Sequence, residues 1–421
     1  EVFYLHHLFR DFLLEQLYEN YSDVQVFSFH CRIGKIIEPH DVFQALHHFI
    51  KGEDYSQAIR LIKAHEMKFL LKGKIIFLGR QIKQIPEPIL EKNPQLLLSL
   101  SRLHSHYGEP EKSMTLIYRA MSLYKNQDAK EEMISCVIEL GTQYYYSGHL
   151  REAKLLMEQV LDEIETFSQT YMIAMTFLTF FSSVLGDFEI SKKYDTDARE
   201  IIADYPEFER KLATALIDTS LTHTLYFTGE FEQSQQLCKK LLKSVLKLNI
   251  EPCLPLIFYQ LSANSYYLGE YDSGLAYARK GIDACEKNVL TDSRKGWVYL
   301  AWAQNCLGLG HFEAVRENTS KCLELFEEPG NRWGMAHTLE LQAATCLEQK
   351  KAGLARKILD HAFAIIHGYG LKVTQSILEN TYAKALLADN QAETAIKMLL
   401  RSEPNLKGAS YHLFNNYLLA A

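Results

Sequence analysis

No apolar run in this 421-residue chain approaches the roughly 18 residues of a membrane-spanning helix. The richest stretch, Phe177 to Leu185, is ended by Asp187 and two lysines. Strand signals are nearly absent: Val2-Phe3-Tyr4-Leu5 alternates, and Val24-Gln25-Val26-Phe27 does so more weakly. The ten prolines fall mostly between helical stretches, as at Pro86, Pro88, Pro110, Pro206 and Pro329, where a helical array tolerates them. Eight scattered cysteines form no C-x-x-C, so they read as reduced core thiols of a cytoplasmic protein. Positive charge is short as well: the net charge is −7, and the densest basic cluster (Lys239, Lys240, Lys243, Lys247) reads as a solvated helix face, not a nucleic-acid stripe. Catalytic signatures are missing. Gly73-Lys74 and Gly79-Arg80 lack the spacing of a phosphate-binding loop, and neither H-E-x-x-H nor G-x-S-x-G occurs. His6-His7 and His47-His48 are adjacent pairs, about 100° apart on a helix and therefore poor metal forks, and His104 and His106 lack identifiable partners. These absences leave no catalytic residue, metal site or cofactor to expect, and no enzyme. No signal peptide is visible. The chain opens at Glu1 within a strand-like segment and closes at Tyr417 to Ala421 without a polar cap, edges expected of a piece of a longer polypeptide.

What is present is a ladder. A turn residue recurs every 38 to 43 residues with a small residue five positions later. The pairs are Gly108 with Ser113, Gly148 with Ala153, Gly186 with Ser191, Gly229 with Ser234, Gly269 with Gly274 and Gly310 with Val315. The register continues at Lys350 with Ala355 and Asn390 with Ala395, while Gly52 with Ala58 is one residue out. Seven residues before each turn stands a second column: Ser101, Gly141, Thr179, Thr222, Ser262, Ala303, Ala343 and Ala383. A large residue usually precedes it, as at Leu140, Leu178, Leu261, Trp302 and Tyr382. The large residue fills the core of a helix pair, the small one lets two antiparallel helices cross, and glycine closes the first helix. This pattern predicts an all-α, tetratricopeptide-like, right-handed superhelical solenoid, whose repeats of about 40 residues exceed the usual roughly 34. Loss of glycine at Lys350 and Asn390 points to less regular final repeats.

Solenoids are usually binding surfaces, and in an open array the first helix of each pair lines the concave groove. Its groove-facing positions fall about 13, 10, 6 and 3 residues before the turn. They hold Arg102; Thr142 and Tyr145; Thr219, His223 and Tyr226; Tyr259 and Tyr266; Trp297 and Gln304; His337 and Glu340; Asn380 and Lys384. Aromatic faces with a few hydrogen-bonding groups suit a compact polar ligand. Alternatively, the tyrosines and tryptophans fill joints between repeats.

The first hundred residues carry more than repeats. Leu5-His6-His7-Leu8-Phe9-Arg10-Asp11-Phe12-Leu13-Leu14-Glu15-Gln16-Leu17 runs from a strand end into an amphipathic helix. Val42 to Phe49 and Asp54 to Ile62 follow as a helix pair, then Ile85 to Leu90 and Asn93-Pro94-Gln95-Leu96. These segments resemble the junction in MalT-type regulators, the ATP-dependent LuxR-family activators of the STAND class, where a winged-helix domain ends and a sensor solenoid begins. The resemblance implies the end of a winged-helix domain and a linker over 1–36, entry helical hairpins over 37–92 and the repeat solenoid over 93–421. It also implies a nucleotide-binding domain before Glu1 and a DNA-binding domain after Ala421, through which alone DNA would be touched. An inducer such as a saccharide would bind the groove and release the ATPase module to self-associate. The alternative is a scaffold whose groove takes a peptide or another protein and ignores metabolites.

Overall fold

The computed structural model describes residues 7–164, 169–288 and 293–420; the alternating segment Val2 to Leu5 lies outside them. The chain divides into two compact units, Glu1–Leu103 and His104–Ala421, and no strand occurs among the described residues. The first unit contains α1 (His7–Asn20), α2 (Asp23–Ile37), α3 (Val42–Lys51), α4 (Tyr55–Leu71), α5 (Ile75–Ile82), the single turn α6 (Glu87–Leu90) and most of α7 (Pro94–His106). Val24 to Phe27 are helical, against their alternation, because Ser22 and Gln25 form a capping box that starts α2. Gly52 is not a left-handed turn residue: Glu53 takes that conformation, at φ 52°. Gly52 instead admits α2, since a Cβ there would lie 2.6 Å from Cys31 Sγ and 2.8 Å from the Phe27 carbonyl.

After α8 (Pro110–Asn126), the second unit is a run of seven helical hairpins. Hairpin A is α9 (Lys130–Tyr146) with α10 (Leu150–Glu163), and B is α11 (Gln169–Leu185) with α12 (Phe188–Ile202). C is α13 (Glu207–Thr228) with α14 (Phe231–Leu248), and D is α15 (Leu254–Tyr267) with α16 (Tyr271–Lys287). E is α17 (Ser293–Gly308) with α18 (Phe312–Glu327), and F is α19 (Arg332–Glu348) with α20 (Ala352–Ile366). G is α21 (Lys372–Ala388) with α22 (Ala392–Ser402), and α23 (Ser410–Ala420) follows.

Every ladder turn ends its helix with the same double bond. At Gly148, the His149 N–H reaches the Tyr144 carbonyl at 2.8 Å and the Gly148 N–H reaches Tyr145 at 3.0 Å, which satisfies two orphan carbonyls of α9. The final repeats are as regular as the others, contrary to the expectation from their missing glycines. Lys350 and Asn390 both take φ 60°, and Lys351 and Gln391 close the same bonds at 2.8 and 2.9 Å. The two small-residue columns meet where the helices cross: Ser191 donates to the Thr179 carbonyl at 2.7 Å and Ser234 to Thr222 at 2.9 Å. In hairpin D the equivalent serine is Gly274, and Asn305 of the next hairpin enters the vacated space to donate to the Ser262 carbonyl at 3.0 Å.

The solenoid of the second unit closes on itself with a step of five hairpins. A Cβ on Gly148, the turn of A, would lie 3.0 Å from the backbone nitrogen of Arg332, the first residue of F. The turn of B, at Gly186, meets Val373 at the start of G, and the turn of C, at Gly229, meets Tyr411 at the start of α23. One place earlier, His106 Nε2 donates to the Asn288 carbonyl, ahead of E, at 3.1 Å. Small rotations between neighbouring repeats accumulate into this contact. Gly269 and Gly310 keep the left-handed conformation, but a Cβ at either would meet nothing within 4 Å. One hydrophobic cluster consequently runs from Ile134 to Ala409, beside smaller ones around Met172 and Leu386.

Candidate functional site

Closure decides what the inner stripe does. Most of its aromatic residues face one another across the interior. The His223 ring meets Phe180 edge-on at 4.9 Å and Tyr259 at 6.2 Å, and Tyr259 meets Trp297 at 5.8 Å. Trp297 lies 4.4 Å from Trp333 and 5.0 Å from Phe326, with His337 beside both tryptophans at 6.0 and 5.8 Å. Tyr145 joins through Phe180 at 5.3 Å. His223, Tyr259 and Trp297 are at most 7% exposed, so they pack the joints between repeats and line no open groove. Thr219 spends its hydroxyl on the Ala215 carbonyl at 2.8 Å and its own carbonyl accepts from His223 Nδ1 at 3.0 Å. Burial lowers the pKa of His223 and of His337 to about 4, so both rings are neutral. Arg102 belongs to the first unit, where it pairs with Glu66 at 2.6 Å.

The rest of the stripe converges on a cavity of about 140 Å³ in the second unit. Successive first helices each supply part of its wall: Tyr266 and Tyr267 from α15, Gln304 from α17, Glu340 from α19, and Asn380, Thr381 and Lys384 from α21. Tyr411 and His412 of α23 complete it. Helical spacing explains the convergence, because Asn380 and Lys384 are one turn apart on one face, and the hairpin repeat sets Glu340 beside Gln304 and Asn380. The Tyr226 hydroxyl, hydrogen-bonded to Tyr267 and Gln304, backs the wall, and burial pushes it up to about 12. Glu340 accepts from the Thr381 hydroxyl at 2.5 Å. Burial raises its carboxyl, opposed by that hydrogen bond and by the charge of Lys384. His412 is held neutral down to about 4 by burial first, then by His337 and Lys384. Asn380 donates to the His412 carbonyl at 3.1 Å, which ties α23 to hairpin G.

Tyr266, Gln304, Glu340, Asn380 and Lys384 of the sequence-derived stripe therefore meet at one cavity, whereas Tyr145, Thr219, His223, Tyr259, Trp297 and His337 belong to the packed interior or to helix backbone bonds. Tyr226 stands between the two groups. Sequence reasoning missed Tyr267, Thr381, Tyr411 and His412. Tyr267 and Thr381 sit one position off the stripe, and α23 follows the last ladder turn, so no column reached it. Among the described residues, no group of three or more His, Cys, Asp or Glu side chains is placed to hold a metal ion, and no described helix is long and apolar enough to cross a membrane.

No family model matches the sequence, and no curated protein matches it significantly. Among solved structures, the chain is similar to a Rap protein complexed with Competence and Sporulation Factor, with 12% identity over 82% of this chain and 97% of that one, at a TM-score of 0.60. Another similar structure is a Signal Transduction ATPase with Numerous Domains (STAND) protein with a tetratricopeptide repeat sensor from Pyrococcus horikoshii. It shows 13% identity over 100% of this chain and 68% of that one, at a TM-score of 0.44. The likeness to the Rap protein shows the tetratricopeptide-like helical fold.

Proposed function

We propose that the second unit is an effector-sensing module that takes one small polar molecule into the Tyr266–Gln304–Glu340 cavity. The observation that carries this reading is the origin of the wall: four successive first helices and α23 each contribute polar side chains to one space of about 140 Å³. A ligand there binds the closed arrangement of hairpins D to G and α23 better than any arrangement in which they separate. By mass action it shifts the population toward closure. Its size is limited, since a cavity of about 150 Å³ holds a benzene ring. A saccharide would place no more than part of a single ring in it, because the interior through which a longer chain would thread is filled by Phe180, Trp297 and Trp333. In the regulator implied by residues 5–17 and 42–97, such closure would be the signal passed to an ATPase partner in the cytoplasm.

The test is thermal unfolding of the 421-residue chain against single sugars, polyols, amino acids and short peptides, followed by tryptophan fluorescence. Trp297, Trp302 and Trp333 all lie in hairpins E and F, so the signal reports on the second unit. A ligand at about a hundred times its Kd stabilises by about 2.7 kcal/mol. Silence across all small molecules would overturn the sensor reading. A second reading, a peptide-binding scaffold, draws on the Rap protein's complex with Competence and Sporulation Factor. It would use the wider cleft of about 610 Å³ lined by Phe312, Arg316, Gln342, Leu354 and Ile358, and would show itself as a shift with peptides alone.

A further inference from the structure

The cavity is ordered in charge. Glu340 lines the cavity and accepts from the Thr381 hydroxyl at its Oε1. Lys384 is exposed and lines the same space, and its positive charge acts on the Glu340 carboxyl. A carboxyl and an ammonium therefore line one cavity. The same lining holds tyrosine rings, whose negative faces favour a cation, and the apolar residues Leu341, Ala344 and Ile377. The neutral His412 adds no positive charge at the wall. Glu348, also at the cavity edge, is exposed and two turns of α19 away from Glu340.

Resting on the sensor reading above, we infer that the effector is a small zwitterionic α-amino acid that enters ammonium-first, its ammonium on Glu340 and its carboxylate on Lys384. The ligand spans two groups of opposite charge that line one cavity, and its side chain meets Leu341, Ala344 and Ile377. The volume limits it to about six to eight non-hydrogen atoms, by comparison with the benzene-sized cavity of about 150 Å³. That is the range from alanine to valine. A neutral sugar satisfies the tyrosine and amide groups but leaves both charges without partners, which costs affinity because a polar site discriminates strongly against a ligand that leaves its groups unpaired.

The experiment is calorimetric titration of the full chain with L-alanine, L-alaninamide, propionate and a neutral monosaccharide, repeated on Glu340→Gln and Lys384→Met. L-alanine is expected to bind at least tenfold more tightly than alaninamide or propionate. Glu340→Gln should weaken L-alanine and alaninamide together by tenfold or more, while Lys384→Met should weaken L-alanine and leave alaninamide unchanged. The unfolding midpoint of each variant without ligand identifies a folding defect, and Lys384→Met, at an exposed position, keeps the test decisive if Glu340→Gln is unstable. Alaninamide binding as tightly as L-alanine would overturn the zwitterion and leave a simple amine. Binding of the monosaccharide alone would overturn the amino-acid class while preserving the sensor. Absence of binding by every probe would overturn both.

Discussion

Replacing Gly148 and Gly310 by alanine, one at a time, separates two roles that glycine plays in the ladder. Both residues have nearly the same backbone, φ 76° and 73°, so each alanine bears the same left-handed strain, about 1 kcal/mol. Their surroundings differ. A Cβ at Gly310 meets nothing within 4 Å, whereas at Gly148 it lies 3.0 Å from the Arg332 nitrogen and 3.6 Å from that of Trp333. Backbone atoms at the start of a packed helix cannot rotate aside, so overpacking adds roughly 1–3 kcal/mol. Gly310→Ala should cost about 1 kcal/mol and Gly148→Ala about 2–4 kcal/mol. At roughly 2 °C per kcal/mol for a unit of this size, the midpoints should differ by a few degrees. Thermal unfolding followed by tryptophan fluorescence reads this directly, because Trp333 adjoins the contact. Equal losses in the two variants would mean that hairpin A does not rest on hairpin F in solution, and the five-hairpin closure would be refuted.

Lys350→Gly removes left-handed strain without touching a neighbour and should stabilise by about 0.5–1 kcal/mol, seen as a higher midpoint. Gly274→Ser should clash with Asn305, whose Oδ1 lies 2.0 Å from the new Cβ, and Asn305→Ala should remove the side-chain donor to the Ser262 carbonyl. Combined, the two changes restore the serine-to-carbonyl bond seen at Ser191 and Ser234, so a double-mutant cycle in urea should give a favourable coupling of about 1 kcal/mol or more. His223, with a folded pKa lowered by burial from 6.5 to about 4, binds fewer protons folded than unfolded. Its contribution is complete above pH 6.5 and is lost as pH falls toward 4, on the order of 3 kcal/mol. Unfolding midpoints of His223→Phe across that range should fall less steeply with acid than those of the parent.

The hairpins were legible because their signals are local. A left-handed cap and a pair of small residues at a helix crossing are fixed within about 13 residues, and substitution by Lys350 or Asn390 leaves the spacing readable even though the residue type misleads. The fate of the inner stripe was not local. Whether Trp297 faces a groove or a wall depends on whether hairpin F lies opposite hairpin B, and that follows from rotations summed over several repeats, a quantity no single residue encodes. Glu340 and Gln304 were found by spacing alone and share the cavity; His223 and Trp297, chosen by the same rule, are core. Tyr411 and His412 had no column to announce them. Turn glycine does not mark the closure either: it stands at Gly148, Gly186 and Gly229, which admit a later helix, and equally at Gly269 and Gly310, where a Cβ would meet nothing within 4 Å.

The contact step of five carries a consequence for the length of the array. In an open solenoid the number of repeats is a free variable, and a unit gained or lost between neighbours leaves every other interface as it was. Here the turn at Gly148 counts five places to Arg332, and Gly186 and Gly229 count the same distance to Val373 and Tyr411. Deleting one hairpin between C and E would slide all three turns onto partners shaped for someone else, at a cost paid three times over. The array thus behaves as a ruler of fixed length, and duplication of single repeats, the ordinary way such proteins grow, is closed to this stretch of the chain.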